Sequence, residues 1–117
     1  LITMNKKSQL HLVLTKQWFT EILEGRKTEE YRDFTDFYIN RLCELNEEGE
    51  IIDTKKYDTV KFQMGYSKNA PQMVIEVLDI RIDVDEEVDF ENGDLLTQEN
   101  CNFTIVLGKI LEKINID

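Results

Sequence analysis

Leu10, Leu12 and Leu14 alternate with His11 and Val13, the period-two pattern of a strand with one face toward a core. Thr15 follows as a helix N-cap, and Trp18, Phe19, Ile22 and Leu23 recur at the i, i+1, i+4, i+5 spacing of a single helix face. Gly25 stands where a left-handed residue closes a helix, because without a Cβ it takes positive φ at little cost. Residues 27–32 return to alternation, placing Thr28, Glu30 and Arg32 on one side of a strand and Lys27, Glu29 and Tyr31 on the other. Lys27 joins Glu30 and Arg32 only if that strand begins later or carries a bulge. Phe34, Phe37, Tyr38, Arg41, Leu42 and Leu45 predict a second helix, with Thr35 as its cap and Cys43 buried on its apolar face.

Beyond that helix the pattern turns to strands. Residues 46–54, with Gly49 and several acids, read as a loop, and residues 57–64 as a strand ending at Gly65. Residues 65–71 hold the only proline and predict a hairpin-type loop. Residues 72–84 continue as strand, with Met73, Ile75 and Val77 opposite Val74, Glu76 and Leu78. Residues 85–100 are acidic, with a short helical turn near Leu95 and Leu96. Residues 103–107 form a last strand, which residues 109–116 either extend or close with a helix. The order is strand, helix, strand, helix, then mainly strands. That is α+β, and many short strands point to a small, closed or nearly closed mixed β-barrel flanked by two or three helices.

The densest chemistry lies in residues 25–32, where three cations and two carboxylates surround one aromatic. Charges packed this closely are costly to desolvate unless they pair or meet a ligand. Glu30 and Arg32, two apart on a strand, can pair with each other or divide a polar guest's donors and acceptors between them. Arg41, on the same stripe as Phe37 and Tyr38, either packs its stem with its head in water or turns its guanidinium toward the site. Tyr66, with Lys68 and Asn69, can stack and hydrogen-bond a base or simply rest at a barrel rim. Trp18 divides likewise between a stacking plane and the core.

Strand, short amphipathic helix, Gly25-Arg26-Lys27-Thr28 and then Glu30-Tyr31-Arg32 resemble the opening of the ASCH domain, a member of the PUA-like superfamily. The resemblance continues through Tyr57-Asp58-Thr59-Val60-Lys61-Phe62, the loop Gly65-Tyr66-Ser67-Lys68-Asn69-Ala70-Pro71, the strand Val74-Ile75-Glu76-Val77 and the closing segment from Phe103 to Ile110. It implies one PUA-like domain over residues 4–117, with residues 1–3 as upstream residues outside it. It also implies a ligand cleft between the first helix and the barrel, receiving Lys16, Trp18, Lys27, Glu30, Arg32 and Tyr66. Some small proteins of this family are amidohydrolases acting on acylated cytidine, using a lysine in the Gly-x-Lys-Thr motif, a threonine three residues on and a distant glutamate. Lys27 matches the lysine, but Glu30 stands where that threonine belongs.

Composition narrows the function. The chain has 117 residues, enough for one modest core. No apolar run approaches the roughly 20 residues of a membrane span, and Lys6 and Lys7 are followed by neither the apolar run nor the cleavage site of a secretory signal. A soluble cytoplasmic protein with reduced Cys43 and Cys101 is expected. One histidine and no paired cysteines argue against a zinc site, so neither metal nor cofactor is expected. The net charge of −10 is uneven: seven cations face six anions up to Cys43, and seven face eighteen from Glu44 onward. Long-range attraction to phosphate is therefore weak, and any RNA contact has to be local.

Three functions follow. The first is a module binding RNA or a modified nucleoside through Lys16, Trp18, Lys27, Glu30, Arg32, Arg41, Tyr66 and Lys68. The second is a small hydrolase, acting on acylated cytidine or ribonuclease-like, with Lys27 and Glu30 catalytic. The third is an interaction module whose acidic half binds a basic protein partner.

Overall fold

The computed structural model describes residues 8–116. Lys6, Lys7 and the proposed upstream residues 1–3 lie outside them. The elements run β1 (Gln9–Leu14), α1 (Lys16–Leu23), β2 (Glu29–Asp33), α2 (Asp36–Leu42), β3 (Cys43–Leu45), β4 (Ile51–Thr54), β5 (Thr59–Met64), β6 (Gln72–Val84), a 3-10 turn (Phe90–Asn92) and β7 (Cys101–Ile114). The fold is α+β. Five strands are hydrogen-bonded in the order β1-β5-β6-β7-β2, and β3 pairs with β4 in a separate two-stranded sheet. No helix among the described residues is long and apolar enough to cross a membrane.

The chain divides into two compact units interleaved in sequence, and the long strands β6 and β7 contribute to both. The first unit comprises described residues 8–28, 56–78 and 107–116. Here β1 runs parallel to β5 from Gln9 opposite Thr59 to Leu14 opposite Met64, and β5 is antiparallel to β6 from Thr59 opposite Glu76 to Gln63 opposite Gln72. The alternation of Leu10, Leu12 and Leu14 is realised, for all three are buried, together with Val60, Phe62, Met73 and Ile75. Helix α1 lies against β1 and β5 and buries Phe19 and Ile22. Its buried face is narrower than the spacing implies: Trp18 and Leu23 flank it rather than enter the core. Thr15 occupies the N-cap with extended backbone, but its side chain makes no capping bond.

The end of α1 follows its sequence. Gly25 takes φ of 78°, its N–H donates to the Ile22 carbonyl at 3.1 Å, and the Arg26 N–H donates to the Glu21 carbonyl at 3.0 Å. These are the two reversed bonds that close a helix through a left-handed residue.

The second unit comprises residues 29–55 and 79–106. Strand β2 pairs antiparallel with β7, from Glu29 opposite Val106 to Asp33 opposite Asn102. Phe34, Leu42, Cys43, Ile80, Cys101, Phe103 and Ile105 form its buried apolar set, with the Phe34 and Phe103 rings 5.3 Å apart. Thr35 caps α2, its hydroxyl accepting the Tyr38 N–H. Three expectations need correction here. The helix stops at Leu42, so Cys43 and Leu45 belong to β3, although Cys43 is buried as expected. The segment read as a loop contains β4, joined to β3 through a turn in which the Asn46 side chain accepts the Glu48 and Glu50 N–H groups. A two-stranded ribbon this short carries too few residues to show a period. The helical turn expected at Leu95 and Leu96 lies instead at Phe90–Asn92, where the Asp89 carboxylate accepts the Asn92 N–H and Gly93 takes φ of 91°. The segment after β7's expected end extends the strand to Ile114.

Candidate functional site

The predicted site residues divide between the units: Lys16, Trp18, Lys27, Tyr66 and Lys68 belong to the first, Glu30, Arg32 and Arg41 to the second.

In the first unit, the turn after α1 brings the chain back along the helix. The Lys27 N–H donates to the Glu21 carbonyl at 3.1 Å, and the Lys27 ammonium sits 4.5 Å from the centre of the Trp18 ring. That ring is 44% exposed, so it is a flank of the helix and not core. Beside it Arg26 forks onto Glu21, at 3.0 and 2.9 Å, and also meets Glu24. Those bonds raise the Arg26 pKa and lower that of Glu21. Arg26 is thus neutralised by its neighbours, and the Lys27 ammonium lies over the aromatic face.

The loop between β5 and β6 is tied to the end of β1, two residues before that helix, since the Gly65 N–H donates to the Leu14 carbonyl at 3.0 Å. Gly65 and Asn69 take φ of 67° and 60°, and the loop closes with Met64 N–H donating to the Pro71 carbonyl. Tyr66 is 86% exposed. Lys16 and Lys68 are exposed on the helix start and on this loop.

Sequence reasoning passed over two residues beneath that loop. The Gln63 side-chain amide donates to the Gly65 carbonyl at 2.7 Å, and the Gln72 amide donates to the Gln63 side-chain carbonyl at 2.8 Å. The only signal for this pair was its symmetrical position at the two strand ends, which has meaning once the register is known.

In the second unit Glu30 and Arg32 share one face of β2, as the alternation predicted, while the strand starts at Glu29, so Lys27 precedes it and belongs to the first unit. Arg32 donates from Nη2 to Glu30 Oε2 at 2.8 Å and from Nη1 to the Tyr38 hydroxyl at 2.8 Å, with the guanidinium 5.5 Å from the centre of the Tyr38 ring. The two side chains are 15% and 6% exposed. The Glu30 carboxylate is thus bound by a charge-assisted hydrogen bond. Arg41 is exposed in the last turn of α2.

On the opposite face of β2, Tyr31 donates to Glu29, and Arg81 bridges Glu29 at 3.0 Å and Asp83 at 3.1 Å. The buried Thr104 hydroxyl donates to the same Asp83 carboxylate. Arg81 first, and Thr104 second, hold the Asp83 pKa below its ordinary value, while the bond to Glu29 raises that of Tyr31. Further along, Asp85, Val88, Asp94, Leu95, Thr97 and Asn100 line an open hollow of about 550 Å³, with Phe90 and Leu95 exposed nearby. No group of three or more metal-ligating side chains is assembled among the described residues. Burial raises the pKa of both the Cys43 and Cys101 thiols, which keeps them protonated.

The fold also regroups the charges. The described part of the first unit holds eight Lys and Arg against five Asp and Glu, +3; the second holds four against eighteen, −14. Lys6, Lys7 and Asp117 outside the described residues bring the total to −10.

A scan against protein-family models finds no match, and neither do comparisons with curated proteins and with solved structures.

Proposed function

We propose that the protein binds single-stranded RNA or a modified nucleoside through the first unit, and that it is an ASCH-like domain of PUA-like barrel architecture. The domain assignment is supported by the motif order given above. The binding reading is carried by one observation: both exposed aromatics with lysine neighbours, Trp18 beside Lys27 and Tyr66 in the loop with Lys68, belong to the unit whose balance is cationic. An exposed aromatic plane stacks a base, at roughly 1–3 kcal/mol per base, and a nearby ammonium meets its phosphate. Lysines from distant parts of the sequence, including Lys56, Lys61, Lys109 and Lys113, supply the local field that the chain as a whole lacks.

Trp18 is the sole tryptophan, so its fluorescence reports on this unit without ambiguity. Titration with a short single-stranded oligoribonucleotide at low salt should quench it, and Trp18→Ala should weaken binding, followed then by NMR, about tenfold. Lys27→Ala should lower the salt slope of log K by roughly one. Unchanged fluorescence together with unmoved Trp18 and Tyr66 resonances at millimolar nucleotide would reject the proposal.

A second reading draws on the acidic unit, where exposed Phe90 and Leu95 stand among carboxylates beside the open hollow. That surface suits a basic protein partner with apolar side chains, and its binding should be insensitive to Trp18→Ala.

A further inference from the structure

Resting on the nucleotide-binding reading, we propose that Gln72, oriented by Gln63, contacts the edge of the base that stacks on Tyr66. The orientation of both amides is forced by chemistry. A peptide carbonyl only accepts, so Gln63 must present its NH2 to the Gly65 carbonyl, which belongs to the peptide bond immediately preceding Tyr66. Gln63 therefore turns its oxygen toward Gln72, and Gln72 must answer with an N–H. What remains on Gln72 is its second N–H and its carbonyl oxygen, which accepts no hydrogen bond among the described residues.

The pair is held from both sides. Gln63 and Gln72 are opposite one another in the β5–β6 register, at the last paired position before the loop, and both are half-buried. The loop above them is fixed by the Met64 to Pro71 and Gly65 to Leu14 backbone bonds. Gln72 thus offers a donor and an acceptor side by side at the foot of the loop that carries an almost fully exposed tyrosine. A carboxamide in this state matches an edge with an adjacent amino donor and ring-nitrogen acceptor, as adenine presents with N6 and N7. Uncharged donor and acceptor groups beside a stacking ring select by edge chemistry, which phosphate-contacting lysines do not.

The test uses the whole protein with AMP and GMP as probes. In the unaltered protein AMP should shift the Gln72 side-chain amide resonances together with those of Tyr66. Gln72→Glu leaves two acceptor oxygens and no donor, which repel the adenine ring nitrogen but accept from guanine N1–H and N2–H. The AMP-to-GMP affinity ratio should fall about tenfold or more. Gln72→Leu, which removes both groups without adding charge, should weaken AMP several-fold and spare GMP no less than AMP. If AMP moves Tyr66 but leaves the Gln72 amide and both variants' ratios unchanged, the base-edge assignment is overturned while nucleotide binding stands. If neither nucleotide binds, both readings fall together.

Discussion

Replacing Arg32 by methionine asks whether the Glu30–Arg32 pair is a piece of architecture. Methionine retains much of the stem volume but removes the guanidinium, leaving the Glu30 carboxylate, 6% exposed, without its 2.8 Å ion pair. Breaking a buried pair by deleting one partner costs about 3–5 kcal/mol, because the surviving charge stays desolvated. The Tyr38 hydroxyl also loses the donor that reaches it at 2.8 Å, a smaller loss because that hydroxyl can rotate toward another partner. A chain of this size has a total stability on the order of 5–15 kcal/mol, so the single change removes a large share of it. With a urea slope of roughly 2 kcal/mol per molar, the unfolding midpoint should drop by about 1.5–2.5 M. The double replacement Glu30→Leu, Arg32→Met removes both charges and should recover most of that loss, since an apolar pair of similar volume is about as stable as a buried ion pair. Equilibrium urea unfolding of the wild type, both single variants and the double variant closes the cycle. An Arg32→Met variant within about 0.5 kcal/mol of wild type, or a double variant no better than either single one, would refute the reasoning. If nucleotides bind through the first unit, the folded double variant should still quench Trp18 fluorescence in their presence.

Two further outcomes can be checked. A Cβ on Gly108 would lie 2.9 Å from the Glu76 Oε1 atom and 3.0 Å from both Glu76 Cβ and Leu78 Cδ2, and Glu76 Oε1 accepts the Lys109 N–H. Gly108→Ala must therefore displace Glu76 and should destabilise the fold by about 1–3 kcal/mol in thermal or urea unfolding, although Gly108 needs no positive φ. The Asp83 pKa is lowered in the folded protein by Arg81 and Thr104, with Glu29 and Tyr31 packed around the same arginine. Its contribution to stability is complete above the unfolded carboxyl value near 4 and is lost as pH falls through the lower folded value. Thr104→Val should raise the Asp83 pKa toward its ordinary value, seen in a carboxyl-carbon NMR titration, and flatten the loss of stability on that acid limb.

Patterns confined to neighbouring residues were legible. Leu10, Leu12 and Leu14 announced β1, Gly25 announced the end of α1, and the two-residue spacing of Glu30 and Arg32 put them on one face of β2. What depended on tertiary pairing was not. Leu45 kept helical spacing although the chain turns at Cys43, because a three-residue strand has no room to display alternation. Trp18 fitted the apolar stripe but lies at its margin, where a neighbouring lysine decides its surroundings. The amide chain through Gln63 and Gln72 exists only in the β5–β6 register. The charge balance misled for the same reason: a cut along the sequence at Cys43 puts Lys56, Lys61, Lys68, Lys109 and Lys113 among the acids, and the fold gathers them with Lys16 and Lys27.

The parallel pairing of β1 with β5 joins residues 50 apart, Gln9 with Thr59. Leu10, Leu12 and Leu14 leave the ribosome 50 residues ahead of their neighbours Val60 and Phe62. Closing so long a segment is entropically slow, and the nascent leucine ridge stays sticky until β5 arrives. A refolding rate slower than that of a helical protein of equal length is the expected cost of that one strand pairing.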